Sequence, residues 1–536
     1  MYKALSNFIF IAILSFVFIN CANRGRPEGG PKDEKPPIIT KSEPENFSTN
    51  FTENEIRIYF DEYIKVKNMQ QQLIISPPMD PMPEITPQGG ASKYIDIKII
   101  DTLDANTTYA LNFGNSIVDN NEENPYPYYR YVFSTGDYID SLTVKGNILD
   151  ALERKTDEFV SVVLYELDST YTDSIIYKET PKYVTNTLDS VTNFSIENIK
   201  AGKYMLLALK DVNLDNKFQQ KTDKLGFYKS FIEVPTDSVF YELKLFKEEQ
   251  DFNATRPSLV TGEKIAFGYE GDYKDMKIEM LSDTLEDFKH KITKDELTDT
   301  LHYWYKPKME VDSLIFKVTK GDFEKDFTVK IRPKEKDTLF VKAITGGNID
   351  YEALFEISAT TPIVNIDETK ISIIDKDSLN IGFKSSFDTI RNTLALDFDK
   401  TESNNYKIQL LPNTFTDFFE TTNDTLNFSA RTKALTDFGN VRVILQNAKY
   451  PVIVQLTDDK GVVKAEKTAT ESKPIDFTNL VPSTYFLRVI FDTNGNQKYD
   501  SGNYLKKVQP EGVSHFVIEE VRAGWDNIET LSLNQN

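Results

Sequence analysis

At 536 residues, 40% of them hydrophobic, 12% aromatic and 27% charged, the chain is too long for one ordinary core, and its 36 Phe and 27 Tyr can furnish several. Its 62 basic and 83 acidic residues leave a formal charge of −21, which disfavours nucleic acid and anionic headgroups as partners. One cysteine, Cys21, excludes a disulfide framework within the chain.

Lys3 precedes an almost unbroken apolar run from Phe8 to Ile19. A dozen or so residues cannot span a bilayer of about 30 Å as a helix, but they match the apolar core of a signal peptide. Cys21 follows at once, then the Gly/Pro-rich "ANRGRPEGGPKDEKPP". A cysteine at this junction resembles the lipobox of bacterial lipoproteins. Phe18 and Asn20 depart from the strict pattern, of which looser versions occur in the Bacteroidota. The resemblance implies a signal peptide over residues 1–20, a lipid on Cys21 and a tether over 21–36. Several acyl chains would anchor the protein stably. The location implied is the outer membrane; with Ala22 after the cysteine and no acid before Glu28, the periplasmic or cell-surface face stays open.

From Pro37 onward, short alternating runs such as "EIRIYF", "KYIDIKII", "FVSVVLYEL" and "TLFVKAI" are separated by turn residues. This period-2 pattern predicts an all-β chain of sandwiches, with no major helix. In 37–138, "PPIITKSEPENFSTNFTENEIRIYFDEYIKVKN" carries a strand expected to end at Phe60-Asp61-Glu62. "NTTYALNFGNSIVDNNEENPYPYYRYVFSTGD" carries Tyr109, a turn at Asp119 and a closing strand to Thr135. These segments resemble the bacterial Ig-like domain of the S-layer-protein type. Together with the tether they resemble a family of Bacteroidota lipoproteins with such a domain at the N-terminus. Tyr109 is expected to act as a corner tyrosine, its hydroxyl pinning a loop.

"FSIENIKAGKYMLLALKDVNLDNKF" (194–218) aligns without a gap on "IDFTNLVPSTYFLRVIFDTNGNQKY" (475–499), 281 residues further on. Asn198 falls on Asn479, Tyr204 on Tyr485, Asp211 on Asp492, Asn213 on Asn494 and Asp215 on Asn496. The shared form resembles carboxypeptidase-regulatory or transthyretin-like β-sandwiches. It implies two copies of one module, at 139–248 and 436–536. The stretches 249–343 and 344–435 each read as a further sandwich, so five β-domains follow the tether.

The repeat's Asp/Asn loops place oxygens at Asp211, Asn213 and Asp215, and at Asp492, Asn494, Asn496 and Asp500. Alternating oxygens can surround calcium. The glycine and glutamate of an EF-hand are missing, since Asn216 and Thr222, then Gln497 and Asn503, stand there. A looser calcium loop and Asx-turns closing a hairpin both remain open. The acidic loop "DNNEENP" (119–125) poses the same choice. Tyr126, Tyr128 and Tyr129 form a Tyr-rich break in strand alternation, a feature of interfaces.

Asp-Ser or Asp-Thr followed by an aliphatic residue recurs, with Thr102, Ser141, Ser174, Ser190, Ser238, Thr284, Thr300, Ser313, Thr338, Ser378, Thr389 and Thr425 as potential acceptors. This resembles the O-glycosylation sequon of Bacteroidota exported proteins; turn formation at strand starts explains the same pattern.

Catalytic signatures do not stand out. His290, His302 and His515 lack metal spacing, and neither a phosphate loop nor a G-x-S-x-G elbow occurs. The reading is a non-catalytic, lipid-anchored scaffold or binding subunit of an envelope complex, with a β-barrel protein as one form of partner and outer-membrane protein assembly as one form of service. The alternatives are a glycan-binding or adhesin-like surface protein and an enzyme with an inter-domain site. No cofactor is expected beyond the calcium left open.

Overall fold

The computed structural model describes residues 33–188, 192–235, 239–518 and 520–533. The signal segment, Cys21 and most of the tether lie outside them. Helix among the described residues is confined to Met69–Gln72 and three 3-10 turns. Strands form where apolar and polar residues alternate: in Glu55–Val66, Ile56, Ile58, Phe60 and Ile64 turn inward and their neighbours outward. Contacts divide the chain into two units. Of the described residues, those up to Val144 with Pro181–Leu188 and Ser195–Gly202 form the first, and the others form the second.

The first unit contains a sandwich. One sheet runs in the order Ile39–Glu43, Glu55–Val66, Ser92–Lys98, Glu84–Thr86, and Ile117–Asp119 also joins Glu55–Val66. The facing sheet is Ile74–Ser76, Thr108–Asn112, Arg130–Ser134. The strand expected to stop at Phe60-Asp61-Glu62 instead continues to Val66. Its register with Ser92–Lys98 shifts between Tyr59 and Ile64, and beyond the shift Ile64 pairs with both Ser92 and Asp119. An irregularity of this kind bends a strand enough to serve two neighbours. Ile58, Phe60, Ile95 and Ile97 meet Leu111, Tyr131 and Phe133 in the core.

Tyr109 is buried, and its hydroxyl accepts a hydrogen bond from the Asp104 amide at 2.8 Å. The hydroxyl thus pins the loop before its own strand. Tyr109→Phe keeps the packing and orphans that amide, so it should cost about 1 kcal/mol, read as faster hydrogen exchange at Asp104 in the full chain. Segments beyond residue 138 are bonded to this sandwich. Asn198 Nδ2 donates to the Asp140 carbonyl at 2.7 Å, the Val184 amide to Ser76 Oγ at 3.1 Å, and Arg130 pairs with Glu197.

The second unit strings sandwiches together. In the first, Ser161–Glu166 and Lys224–Phe227 flank Gly202–Lys210, while Phe240–Leu245 runs parallel to Lys145–Asp150. The next packs Lys264–Glu270, Thr300–Lys306 and Lys289–Lys294 against Lys277–Met280, Ser313–Lys320 and Phe323–Lys330. The third sets Phe355–Ala359, Thr393–Phe398 and Phe383–Asp388 against Ile371–Ile374, Asn405–Leu410 and Leu426–Arg431. In the last, Val452–Thr457, Phe486–Phe491 and Val513–Val517 face Gly439–Gln446, which pairs parallel with Asp526–Ser532. Parallel pairing of a module's opening and closing strands is common to the two repeat copies. The aligned Asn198 and Asn479 both have positive φ, 60° and 58°, a conformation that Asn tolerates better than most residues. The hydroxyl pin recurs as well: Tyr406 accepts from the Thr401 amide at 2.6 Å, and Tyr485 donates to the Val481 carbonyl at 2.7 Å.

Candidate functional site

In both repeat copies a buried strand, Gly202–Lys210 or Phe486–Phe491, runs straight into the Asp/Asn loop. The aspartate that opens each loop is buried. Asp211 accepts from the Leu214 and Asn216 amides at 2.7 and 2.6 Å. Asp492 accepts from those of Asn496 and Gln497 at 3.0 and 2.9 Å. Burial raises the Asp211 carboxyl above its ordinary range, against the lowering effect of those amides. Exposed Asp215 accepts from the Lys217 amide at 3.0 Å and from the Gln219 side chain. Asn213 is exposed. In the second copy Asn494 and Asn496 both donate to Asp500. Asp211, Asp215, Asp492 and Asp500 therefore receive donors of their own loops. Among the described residues no group of three or more His, Cys, Asp or Glu is placed to hold a metal.

Each loop has a second buried carboxylate that sequence reasoning missed. Asp223 accepts from the Val212 and Gln219 amides at 3.1 and 2.8 Å. Glu511 accepts from those of Thr493 and Asp500 at 2.6 and 3.2 Å. The two do equivalent work from non-equivalent positions, so a gapless alignment cannot pair them.

The position aligned with Asp223 is Tyr504, and it joins the copies. Tyr504 is fully buried. Its amide donates to Glu248 Oε1 at 2.6 Å and its hydroxyl lies 3.2 Å from that of Tyr171. Its ring meets Phe227 edge-on at 5.4 Å, with Lys507 Nζ 3.7 Å from its centroid. Lys507 also pairs with Asp173 at 2.7 Å. Gln509 donates to the Phe227 carbonyl at 2.9 Å. At Gly502 a Cβ would lie 2.5 Å from the Phe246 ring, so only glycine permits this approach. On the neighbouring face Arg488 pairs with Glu153. A groove of about 670 Å³ opens nearby between Leu149, Glu242 and Lys244 of one copy and Tyr450, Phe491 and Ser514 of the other.

In the first unit, Asp119 dominates the acidic loop. Its buried carboxylate accepts four amides, from Asn121, Glu122, Glu123 and Asn124, at 2.8 to 3.1 Å. Burial raises its pKa, but these four bonds outweigh that and leave it below the usual carboxylate range. Tyr126 and Tyr129 pack partly buried against the core, edge to face at 5.9 Å. Tyr128 is 49% exposed at φ 54°, so of the three it offers the most surface to a partner. Of the candidate glycan acceptors, Ser190 and Ser238 lie outside the described residues. Thr300 is half-buried. Thr102, Ser141, Ser174, Thr284, Ser313, Thr338, Ser378, Thr389 and Thr425 are exposed.

Residues 33–135 match the family described as bacterial Ig-like domain. No match is found among curated proteins. Among solved structures the chain is similar to the surface layer protein SbsC, domains 1–6, at 11% identity and TM-score 0.16, over 90% of this chain and 66% of that one. It is also similar to titin domains Z1Z2 in complex with telethonin, at 12% identity and TM-score 0.13, over 35% of this chain and 97% of that one. The strands and sheets define an all-β protein of tandem sandwiches, and the segment 33–135 of its first unit is similar to a bacterial Ig-like domain.

Proposed function

We propose that the chain is a non-catalytic envelope protein, anchored in the outer membrane through a lipid on Cys21, that serves as scaffold or binding subunit of a protein complex. The observation that carries the reading is the Tyr504 junction. It bonds the last sandwich of the second unit to the first, so that surfaces are presented at fixed separations. The Ig-like match at 33–135 supports a structural rather than a chemical role. The test is recovery from native membranes in mild detergent. Stoichiometric co-purification with another envelope protein, a β-barrel protein being one form, supports the scaffold, and solitary recovery counts against it.

Calcium is not needed to build either repeat loop, because backbone and side-chain donors already occupy the carboxylates. Millimolar calcium should therefore leave the melting temperature unchanged; a rise would mean that the loops reorganise around the ion. The exposed Asp-Ser and Asp-Thr acceptors suit O-glycosylation. Hexose increments in the intact mass of native protein are expected, and their absence would remove this part of the reading.

A further inference from the structure

Arg488 sits mid-strand in the last sandwich, with Gln455 opposite it on one neighbouring strand and His515 on the other. The first repeat copy covers this face. Glu153 binds the Arg488 guanidinium, and the Arg154 guanidinium lies 4.2 Å from the centroid of the Phe486 ring. Between the copies remains a cavity of about 190 Å³ that Arg154, Lys155, Lys460, Arg488 and His515 help to line.

Its charges sort into two groups. Lys224 is held by Asp150 and Asp157 at 2.6 and 2.7 Å, Arg488 by Glu153, and Asp458 by Lys464 at 3.0 Å. Arg154, Lys155 and Lys460, all exposed, form no ion pair among the described residues, and of the lining acids only Asp459 is likewise unpaired. The unpaired charge at the cavity is thus positive, in a chain of net charge −21.

Deeper in, two enclosed atoms have no hydrogen-bond partner, Nε of the 4%-exposed Arg488 and Nε2 of His515. A buried polar atom left unmet is costly, and where it persists in a cavity it calls for an occupant. Burial lowers His515 to about 4, so the ring is neutral at pH 7, and a backbone hydrogen bond at Leu152 engages it. Nε2 is then an acceptor, while Arg488 Nε–H is a donor. A bare oxyanion would suit the donor and the cationic rim but would face the imidazole lone pair. A ligand with both an anionic group and a hydroxyl satisfies all three. Pockets for drug-sized ligands run to about 300–1,000 Å³, so this smaller cavity fits a single sugar-sized unit.

We propose that the cavity binds one hydroxylated anion of the sugar-acid or sugar-phosphate type. The anionic group sits among Arg154, Lys155 and Lys460, and a hydroxyl donates to His515 Nε2 while its oxygen accepts from Arg488 Nε–H.

Isothermal titration of the full chain at pH 7 with glucuronate and with glucose 6-phosphate tests this and separates the two sources. At least one should bind, with glucose and inorganic phosphate each at least about tenfold weaker, roughly 1.4 kcal/mol. The Lys155→Ala/Lys460→Ala variant, altered only at exposed rim positions with no ion pair or ring contact, should lose a similar factor while melting as the parent does. Three results would overturn the proposal: no binding of either acidic sugar at millimolar concentration, equal binding of glucose or phosphate, or unchanged affinity in the variant. Co-purification with an envelope partner is a separate measurement and can fail independently.

Discussion

Asp119→Ala should strip hydrogen-exchange protection from residues 121–124 and destabilise the Ig-like sandwich by about 3 kcal/mol. One carboxylate satisfies four backbone amides, and each buried donor left unmet costs about 1–3 kcal/mol. Asn121 and Glu123 are exposed, so water can reach part of the loop, which brings the cost just below the low end of about 4 kcal/mol that four unmet donors would give. Asp119→Asn keeps one acceptor oxygen and should lose less. The loop also closes the short strand Ile117–Asp119 onto Glu55–Val66, so the damage should spread to that edge. The same bonds set a pH dependence. The folded pKa of Asp119 is depressed, so its contribution is fully present above the unfolded carboxylate value of about 4. That contribution is lost as pH falls through the lower folded value. Acid unfolding of the parent should include this component, and the Asp119→Ala variant should lack it.

Tyr504→Ala should loosen the docking of the repeat copies around residues 503–509 while leaving each folded. A buried aromatic truncated to alanine costs about 3–5 kcal/mol. Here the loss falls on a junction that keeps the residue-504 amide bond to Glu248, the partly exposed bonds of Lys507 to Asp173 and Gln509 to Phe227, and on the neighbouring face the Arg488–Glu153 pair, so the loop around residue 504 should open while the neighbouring face stays paired. The expected result is faster exchange at residues 171–177 and 503–509, with protection retained in the core strands Ser161–Glu166 and Phe486–Phe491. Tyr504→Phe keeps the ring and the amide bond to Glu248 and loses only the hydroxyl contact with Tyr171. It should cost about 1 kcal/mol and leave the junction closed.

The strands were legible because each buries one face, which writes a period of two into the sequence. The repeat was legible because its strand, its left-handed Asn and its loop-opening aspartate occupy matched positions. Asp223 and Glu511 were not, since a carboxylate can reach the same loop from different distances along the chain. The junction was hidden for another reason. Tyr504 lies where the first copy has a carboxylate, and nothing local in "SGNYLKK" tells a docking tyrosine from a loop tyrosine. Its partners Tyr171, Phe227 and Glu248 stand more than 250 residues earlier. Likewise, Tyr126 and Tyr129 could be told from Tyr128 only by the backbone that turns two of them onto the core.

The docking of the two copies is tested most directly by zero-length carbodiimide coupling of the unmodified chain. Lys507 and Asp173 touch at 2.7 Å and both are partly accessible, so a Lys507–Asp173 isopeptide should appear in the monomer fraction by mass spectrometry. Lys317 and Glu324, 2.6 Å apart within one sandwich, serve as control. The docking predicts both cross-links in the parent and a lower Lys507–Asp173 yield, relative to the control, in Tyr504→Ala. A parent that yields the control but no Lys507–Asp173 product would contradict it.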